Sequence, residues 1–260
     1  MVSSTLSLLI LSEDSSPYAH QTISRLAKRM LQLVLPGVRT NLVHFEPADD
    51  VTRGGVHANL WKSWRSPSRR DDRKIKVLRR TLATKVLEAD VPGYVLFHVD
   101  GDCAWSSRAA SPHAQSFRDF VEGLRPIVEA NLQARGLPHG PADVRARLYR
   151  ICPITPYYSI EAWLYQNTDL ARALCERSCG RHLDLIDQWE ADRARLDEVL
   201  KPKEQLCIGS RHNADLAESF TVAVADATNE AGTSFHETVE RLQACPGLPE
   251  ALRDTWSPTP

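Results

Sequence analysis

The chain has 260 residues, 42% of them apolar, and a near balance of 32 basic against 33 acidic side chains. This composition excludes large-scale disorder, and the balanced charge gives no global argument for binding nucleic acid or a membrane. No stretch has the pattern of a membrane span or a secretory signal, and the six cysteines lack the paired spacing of a disulfide framework. We therefore expect a cytoplasmic protein with no membrane association.

The first third of the chain predicts a strand, a helix and a second strand. Thr5 to Leu11 is an apolar run suited to a central strand, and it leads into Ser12-Glu13-Asp14. Apolar residues at helical spacing follow until Pro36-Gly37 ends the pattern. Arg39 to Phe45 is the second strand candidate.

A basic stretch comes next. Lys62 to Lys85 contains ten basic residues and two acidic ones, and its later part has the apolar spacing of a helix. Trp61 and Trp64 lie among the arginines, a combination suited to phosphate contacts and base stacking. The expected nucleic-acid-binding residues are Lys62, Arg65, Arg69, Arg70, Arg73 and Lys74. A solvated surface or a protein interface would explain the same stretch.

The alternation of strands and helices continues to about residue 156. A strand is expected to end at Asp100, a helix to cover Ala114 to Ala134, and a strand to cover Arg147 to Ile154. The order predicts an α/β fold with a mostly parallel sheet flanked by helices. The remaining pattern is helical, so we divide the chain into an α/β core at 1–156 and a helical region at 157–260 packed on it. The helices expected there cover Ile160 to Tyr165, Leu170 to Cys175, Leu183 to Leu200, Ala214 to Ala227 and Phe235 to Leu242.

The segment Asp100-Gly101-Asp102 is the strongest candidate site. It follows a buried strand, and alternation along an extended chain would place both carboxylates on one side, where a hard divalent cation can be held. Two carboxylates a few Å apart repel each other unless a cation neutralises them. A simple Asp-Gly turn is the alternative.

Three further charged residues have two interpretations each. Glu13 follows the first strand and could bind metal or transfer a proton, or it could be an acid stabilised at a helix N-terminus. For Glu161, in the apolar turn after Ser159, the alternatives are a side chain that projects into the acid cluster and an acid stabilised at a helix N-terminus. Lys203 is an ordinary loop charge unless the chain folds back towards the carboxylates, where it could hold a phosphate.

Cysteine and histidine give weaker signals. Cys175, Cys179 and His182 could form part of a zinc site, but no fourth ligand with a usual spacing follows, so buried cysteines are favoured. His98 lies within an apolar strand and is interpreted as a packed histidine rather than a ligand.

Three features together resemble the Toprim-fold proteins of the overcoming-lysogenization-defect and RloB-like kind. They are a strand ending in Glu13, a later strand ending in Asp100-Gly101-Asp102, and the turn Ile160-Glu161-Ala162-Trp163-Leu164. The resemblance covers about residues 5 to 165, with Lys203-Glu204 matching a basic motif beyond it. Toprim proteins commonly have glycine after the glutamate, whereas this chain has Asp14. That difference would shift Glu13, add a ligand, or leave a binding platform without activity.

The resemblance implies a nuclease that depends on Mg²⁺ or Mn²⁺ and acts in bacterial anti-phage defence. Glu13, Asp100 and Asp102 would be the metal ligands, and Glu13, Asp100, Asp102, Glu161 and Lys203 the catalytic set. Nucleic acid would be the main partner, and an ATPase subunit of a defence system or a second copy of the chain would be further partners. Two alternatives stay open: an inactive Toprim-like subunit that binds an ATPase or nucleic acid, and a phosphate-transfer enzyme with Asp100 as nucleophile.

Overall fold

The computed structural model describes residues 6–14, 16–57, 69–88 and 93–256, with side chains described throughout except at 57, 69–72 and 254–256. Its centre is a four-stranded sheet in the order β2-β1-β3-β4, and every pair of neighbouring strands is parallel. The strands are β1 (Leu6–Ser12), β2 (Val43–Pro47), β3 (Tyr94–His98) and β4 (Ile151–Ile154). The predicted α/β class with a parallel sheet is confirmed.

Helices in the first part of the described chain accompany the sheet: α1 (Ala19–Val34), α2 (Asp50–His57), α3 (Arg69–Lys85), α4 (Pro112–Glu122), α5 (Arg125–Ala134) and α6 (Pro141–Leu148). The rest of the chain is helical, as predicted: α7 (Glu161–Leu164), α8 (Thr168–Ser178), α9 (Leu183–Ala191), α10 (Pro202–Gln205), α11 (Asn213–Glu218), α12 (Val222–Glu230), α13 (Ser234–Gln243) and α14 (Leu248–Trp256). None of the helices in these described segments has the length and apolarity needed to cross a bilayer.

The central strand β1 is covered on both faces, which explains its continuous apolar sequence. Leu8 and Ile10 belong to the core that contains α1 and the C-terminal helices. Leu9 and Leu11, on the opposite face, belong to the core that contains α3, α4 and α5. The two-residue period of the strand therefore assigns its side chains to two separate layers.

The C-terminal helices share their core with the sheet. Trp163, Phe220 and Phe235 are fully buried in the same cluster as Leu8. The indole N–H of Trp163 donates to Ser234 Oγ at 2.7 Å, which satisfies its only polar atom. The helical half is thus joined to one face of the sheet by apolar packing.

Three predicted helices are interrupted. Ala114 to Ala134 is two helices, because α4 ends at Glu122 and α5 begins at Arg125 with a proline in its first turn. Leu183 to Leu200 is helical only to Ala191, followed by the 3-10 helix Arg193–Glu198. Ala214 to Ala227 is divided where the Thr221 side chain accepts from Val224 N–H and starts α12.

Strand ends also differ from the sequence-based prediction. β3 ends at His98, two residues before Asp100. β2 begins only at Val43, because Thr40–Leu42 forms a 3-10 turn. Arg147 belongs to α6, and β4 begins after it. Several residues of the predicted elements lie outside the described residues: Thr5, Trp61, Lys62, Trp64, Arg65 and the tail at 257–260.

The cysteines differ from the expectation. Cys179 and Cys207 are joined as a disulfide, with Cα atoms 6.4 Å apart. Cysteine spacing does not indicate this pairing, because 28 residues separate the two positions and only the fold brings them together.

Candidate active site

The predicted acids meet at the carboxyl-terminal edge of the sheet, between β1 and β3. In the strand order β2-β1-β3-β4 these two strands are neighbours. After β1 the next strand in the chain, β2, lies on one side of the pair, and after β3 the next strand, β4, lies on the other side. In open parallel sheets this is the position where a crevice forms and ligands bind. Glu13 follows β1 and Asp100 follows β3, so topology brings them together.

Glu13 and Asp100 are in direct contact. The backbone N–H of Asp100 donates to Glu13 Oε1 at 2.5 Å, and the two carboxyl groups also share a hydrogen bond. Burial and then the neighbouring charge of Asp100 raise the pKa of Glu13 to about 9. Burial likewise raises the pKa of Asp100, with the charge of Glu161 adding to it. The pair therefore retains a proton at neutral pH when no cation is bound.

His98 positions Asp100 from inside the sheet. Its ring is 1% exposed. Nε2 lies 3.1 Å from Asp100 Oδ1, and Nδ1 lies 2.9 Å from Ser12 Oγ on the neighbouring strand. The prediction of a packed histidine was incomplete, since both ring nitrogens of this buried residue contact polar groups at the site.

Gly101 and Asp102 leave the strand conformation. The backbone N–H groups of Gly101 and Asp102 donate to the carbonyls of Pro156 and Tyr158, at 2.9 and 3.2 Å. A Cβ atom at Gly101 would lie only 2.6 Å from the Tyr157 carbonyl oxygen, so the close approach requires glycine. Asp102 has a φ of 50°, so simple alternation does not describe it. Its carboxylate nevertheless lines the same cavity as Asp100, and burial followed by the Asp100 charge raises its pKa.

Glu161 enters the site from the helical half. It is 6% exposed, and both of its carboxylate oxygens have partners. Ser159 Oγ donates to Oε2 at 2.7 Å, and Asn213 Nδ2 donates to Oε1 at 2.9 Å. Glu161 therefore lines the same cavity as the other acids, with its carboxylate held by neighbouring side chains.

The cavity that contains these acids is also lined by basic side chains. Lys201 and Lys203 line the cavity, which has a volume of about 550 Å³ and also contains Glu13, Asp100, Asp102 and Glu161. Lys201 has a φ of 54°, and its Nζ pairs with Glu204 at 3.0 Å. Lys203 lines the same cavity as the carboxylates, which is the condition for the phosphate-holding alternative.

His113, at the start of α4, is a site residue that the sequence did not indicate. It is buried, and its Nε2 lies 3.4 Å from Asp102 Oδ2. Burial lowers the pKa of His113 to about 4, so the ring is neutral at pH 7. Tyr158 and Asn213 were also missed, because each reaches the cavity through the fold and neither has a spacing pattern in the sequence.

Asp14, which stands where Toprim proteins commonly have glycine, has a defined local role. Its carboxylate accepts from the backbone N–H of Ser16 at 2.8 Å and from Ser16 Oγ at 2.9 Å. Both residues line the main cavity and also an adjoining one of about 340 Å³ that reaches Arg53 on α2. Asp14 thus closes the turn after β1, and Glu13 still reaches Asp100.

The acids suit a hard divalent cation, although not as a tight cluster. In the described segments, the acids do not form a group of three whose ligand atoms lie within 4.8 Å of one another. Glu13 and Asp100 do touch, and they retain a proton that a cation would displace. Mg²⁺ commonly binds through one or two carboxylates and several waters, so this pair with Asp102 beside it fits such an ion.

The basic helix α3 belongs to the connection between β2 and β3. β2 and β3 are parallel, so the chain must return between them to the opposite edge, and α3 makes that return. Its last residue, Lys85, pairs with Glu46 on β2 at 3.0 Å. Near the other end of α3, Arg73 is exposed and Lys74 is half-buried.

Comparisons with protein-family models, with curated proteins and with solved structures found no match. The chemistry of this cavity is therefore the basis for assigning a function.

Proposed function

We propose that the protein is a nuclease that hydrolyses phosphodiester bonds with the help of Mg²⁺ or Mn²⁺. The observation that carries this proposal is one cavity that is lined both by the acids Glu13, Asp100 and Asp102 and by the basic residues Lys201 and Lys203. A phosphodiester needs a cation site and basic groups at a short distance from each other. The resemblance to Toprim proteins of phage defence supports the same conclusion and a cytoplasmic location.

Glu13, Asp100 and Asp102 would hold the cation. When bound, the cation supplies neutralisation of the phosphate charge and a water of lowered pKa. His98 fixes Asp100 through the 3.1 Å contact to Oδ1, so this carboxylate is oriented before any ligand enters. Glu161 adds negative charge behind Asp100 and is itself fixed by Ser159 and Asn213.

The lysines would bind the substrate. Lys203 is exposed at the mouth of the cavity and can contact a phosphate oxygen, while Lys201 is already paired with Glu204. Glu13 would also be the general base, because a bound cation would displace the proton that this carboxyl holds in the metal-free protein and leave a carboxylate able to accept one from the attacking water. Arg73 and the neighbouring basic residues of α3 would guide the nucleic-acid backbone towards this edge.

The test is cleavage of plasmid DNA and of RNA with Mg²⁺ or Mn²⁺. We expect Asp100→Asn, which keeps the shape of the side chain, to lower the rate at least about a hundredfold. Asp119→Asn, at an exposed position on α4, is the matched control and should leave the rate unchanged.

Two results would contradict the nuclease proposal. If the wild-type protein cuts neither substrate and forms a stable complex with an ATPase encoded beside it, the inactive-subunit alternative is favoured. If it instead turns over a small phosphate monoester and spares nucleic acid, the phosphate-transfer alternative with Asp100 as nucleophile is favoured.

A further inference from the structure

A cluster of three cysteine sulfurs lies outside the acid cavity. Cys175 lies on α8, and Cys179 follows one turn later, directly after the last residue of that helix. Cys207 reaches them from the segment between α10 and α11. The three Sγ atoms all lie within 4.8 Å of one another. No other group of three potential metal ligands this close occurs in the part of the chain that the structure describes.

We propose that Cys175, Cys179 and Cys207, in their thiolate form, bind a soft divalent cation of the Zn²⁺ class, and that the Cys179–Cys207 disulfide is the oxidised, metal-free form of this site. This site is independent of the proposed nuclease activity, because it uses different residues and a different class of metal ion.

The third sulfur is the main reason for this inference. A disulfide uses two cysteines, yet Cys175 places its Sγ 3.4 Å from the Cys207 Sγ and is itself fully buried. Zinc–sulfur bonds of about 2.3 Å place the sulfurs of one tetrahedral centre about 3.8 Å apart. The observed cluster is of that size, so small side-chain movements after reduction would convert it into a three-thiolate site.

The backbone around the cluster is well fixed. The Cys175 carbonyl accepts from the N–H groups of Cys179 and Gly180, both at 2.8 Å, and Gly180 has a φ of 64°. On the other segment, Leu206 and Ile208 are buried on either side of Cys207. A metal centre needs ligands that are held in place, and both segments meet this condition.

The chemistry balances with a dithiol as the reductant. Reduction of the disulfide transfers two electrons and two protons to Cys179 and Cys207, while the dithiol becomes a disulfide. Binding of the cation by three thiolates then releases up to three protons. Thiolate is a soft ligand that selects Zn²⁺ or a similar ion, whereas carboxylates select Mg²⁺ or Mn²⁺.

The experiment uses Co²⁺ as a spectroscopic probe on the full chain, reduced anaerobically and held in excess Mg²⁺ to occupy carboxylate sites. We expect one equivalent of Co²⁺ to give thiolate-to-cobalt charge-transfer absorption, and Zn²⁺ to remove it. Cys175→Ser should weaken Co²⁺ binding at least about tenfold. Cys245→Ser, which removes another buried thiol, is the matched control and should bind as the wild type does.

A comparison of reduced and oxidised wild-type protein avoids any effect of mutation on folding. The oxidised protein should give no charge-transfer band, because two of the three sulfurs are bonded to each other. The proposal is wrong if the reduced wild type shows no thiolate absorption with Co²⁺, or if folded Cys175→Ser binds Co²⁺ as tightly as the wild type.

Discussion

Gly101 separates the two aspartates because no side chain fits between its backbone and that of Tyr157. A Cβ there would lie 2.6 Å from the Tyr157 oxygen, well inside van der Waals contact. The hydrogen bonds of residues 101 to 103 to the segment at 156 to 158 depend on this approach. The glycine therefore sets the distance between the β3 end, which carries Asp100, and the segment that leads to Glu161.

Gly101→Ala tests this role. We expect the substitution to lower the free energy of unfolding by about 1–3 kcal/mol. It should also lower the rate of cleavage, because Asp100 and Asp102 must move with the backbone. Urea unfolding and the nuclease assay measure the two effects. Gly54→Ala on α2, where no atom lies within 4 Å of the new Cβ, should instead leave stability equal or raise it by about 0.5–1 kcal/mol.

The raised pKa of Glu13 makes the free energy of unfolding depend on pH, and it fixes the direction of that dependence. Its carboxyl titrates at about 9 in the folded state, against 4.5 for an ordinary glutamate. The folded state therefore binds more protons than the unfolded state within this window, and stability must fall as pH rises through it, by up to about 1.4 kcal/mol per pH unit. Below the ordinary glutamate pKa, Glu13 is protonated in both the folded and the unfolded state. This group then contributes no pH dependence, and no stability is lost.

The measurement is urea unfolding at about pH 5.5 and about pH 8.5 in the presence of a chelator. Glu13→Gln should lose most of this pH dependence, whereas Glu122→Gln, at an exposed position on α4, should keep it. An unchanged slope in Glu13→Gln would show that another group holds the proton.

At the scale of elements, the positions of the strands were predictable because their apolar runs are continuous and short. The ends were less predictable. β3 stops at His98 because the following residues pair with the segment at 156 to 158, a contact that sequence periodicity does not report. Cys207, His113 and Asn213 were missed for the same reason, since only tertiary structure brings them to their clusters. Glu13 and Asp100 were predictable because parallel strands place their carboxyl ends at one edge.

The first turn of α3 carries the prediction for nucleic-acid binding. Replacing Arg69, Arg70 and Arg73 together with alanine should weaken binding to DNA and RNA. The slope of log affinity against log salt should become shallower by about 0.7–0.9 for each phosphate that the variant no longer neutralises. Fluorescence anisotropy at several salt concentrations measures the slope.

The control for this experiment is the triple alanine variant at three exposed arginines on other helices, Arg118, Arg145 and Arg177. It removes the same charge. An equal loss of binding in both variants would mean that net charge matters and the position of α3 does not.

At the scale of the whole molecule, one apolar cluster contains residues of the sheet and of the C-terminal helices. Leu8 of the central strand and Trp189 of α9 belong to it together. We expect a single unfolding transition, because neither half can lose this cluster without exposing the other. Calorimetry should give equal van't Hoff and calorimetric enthalpies, while two separated peaks would show that the halves unfold independently.

The strand order also has a consequence for synthesis on the ribosome. β1 is made before the other three strands of the sheet but lies inside it, so its first neighbour, β2, is complete only at Pro47 and its second, β3, only at His98. Until then, this apolar strand presents unpaired backbone groups that can join another chain. The nascent protein is thus most prone to aggregate while the long connection between β2 and β3 is still being translated.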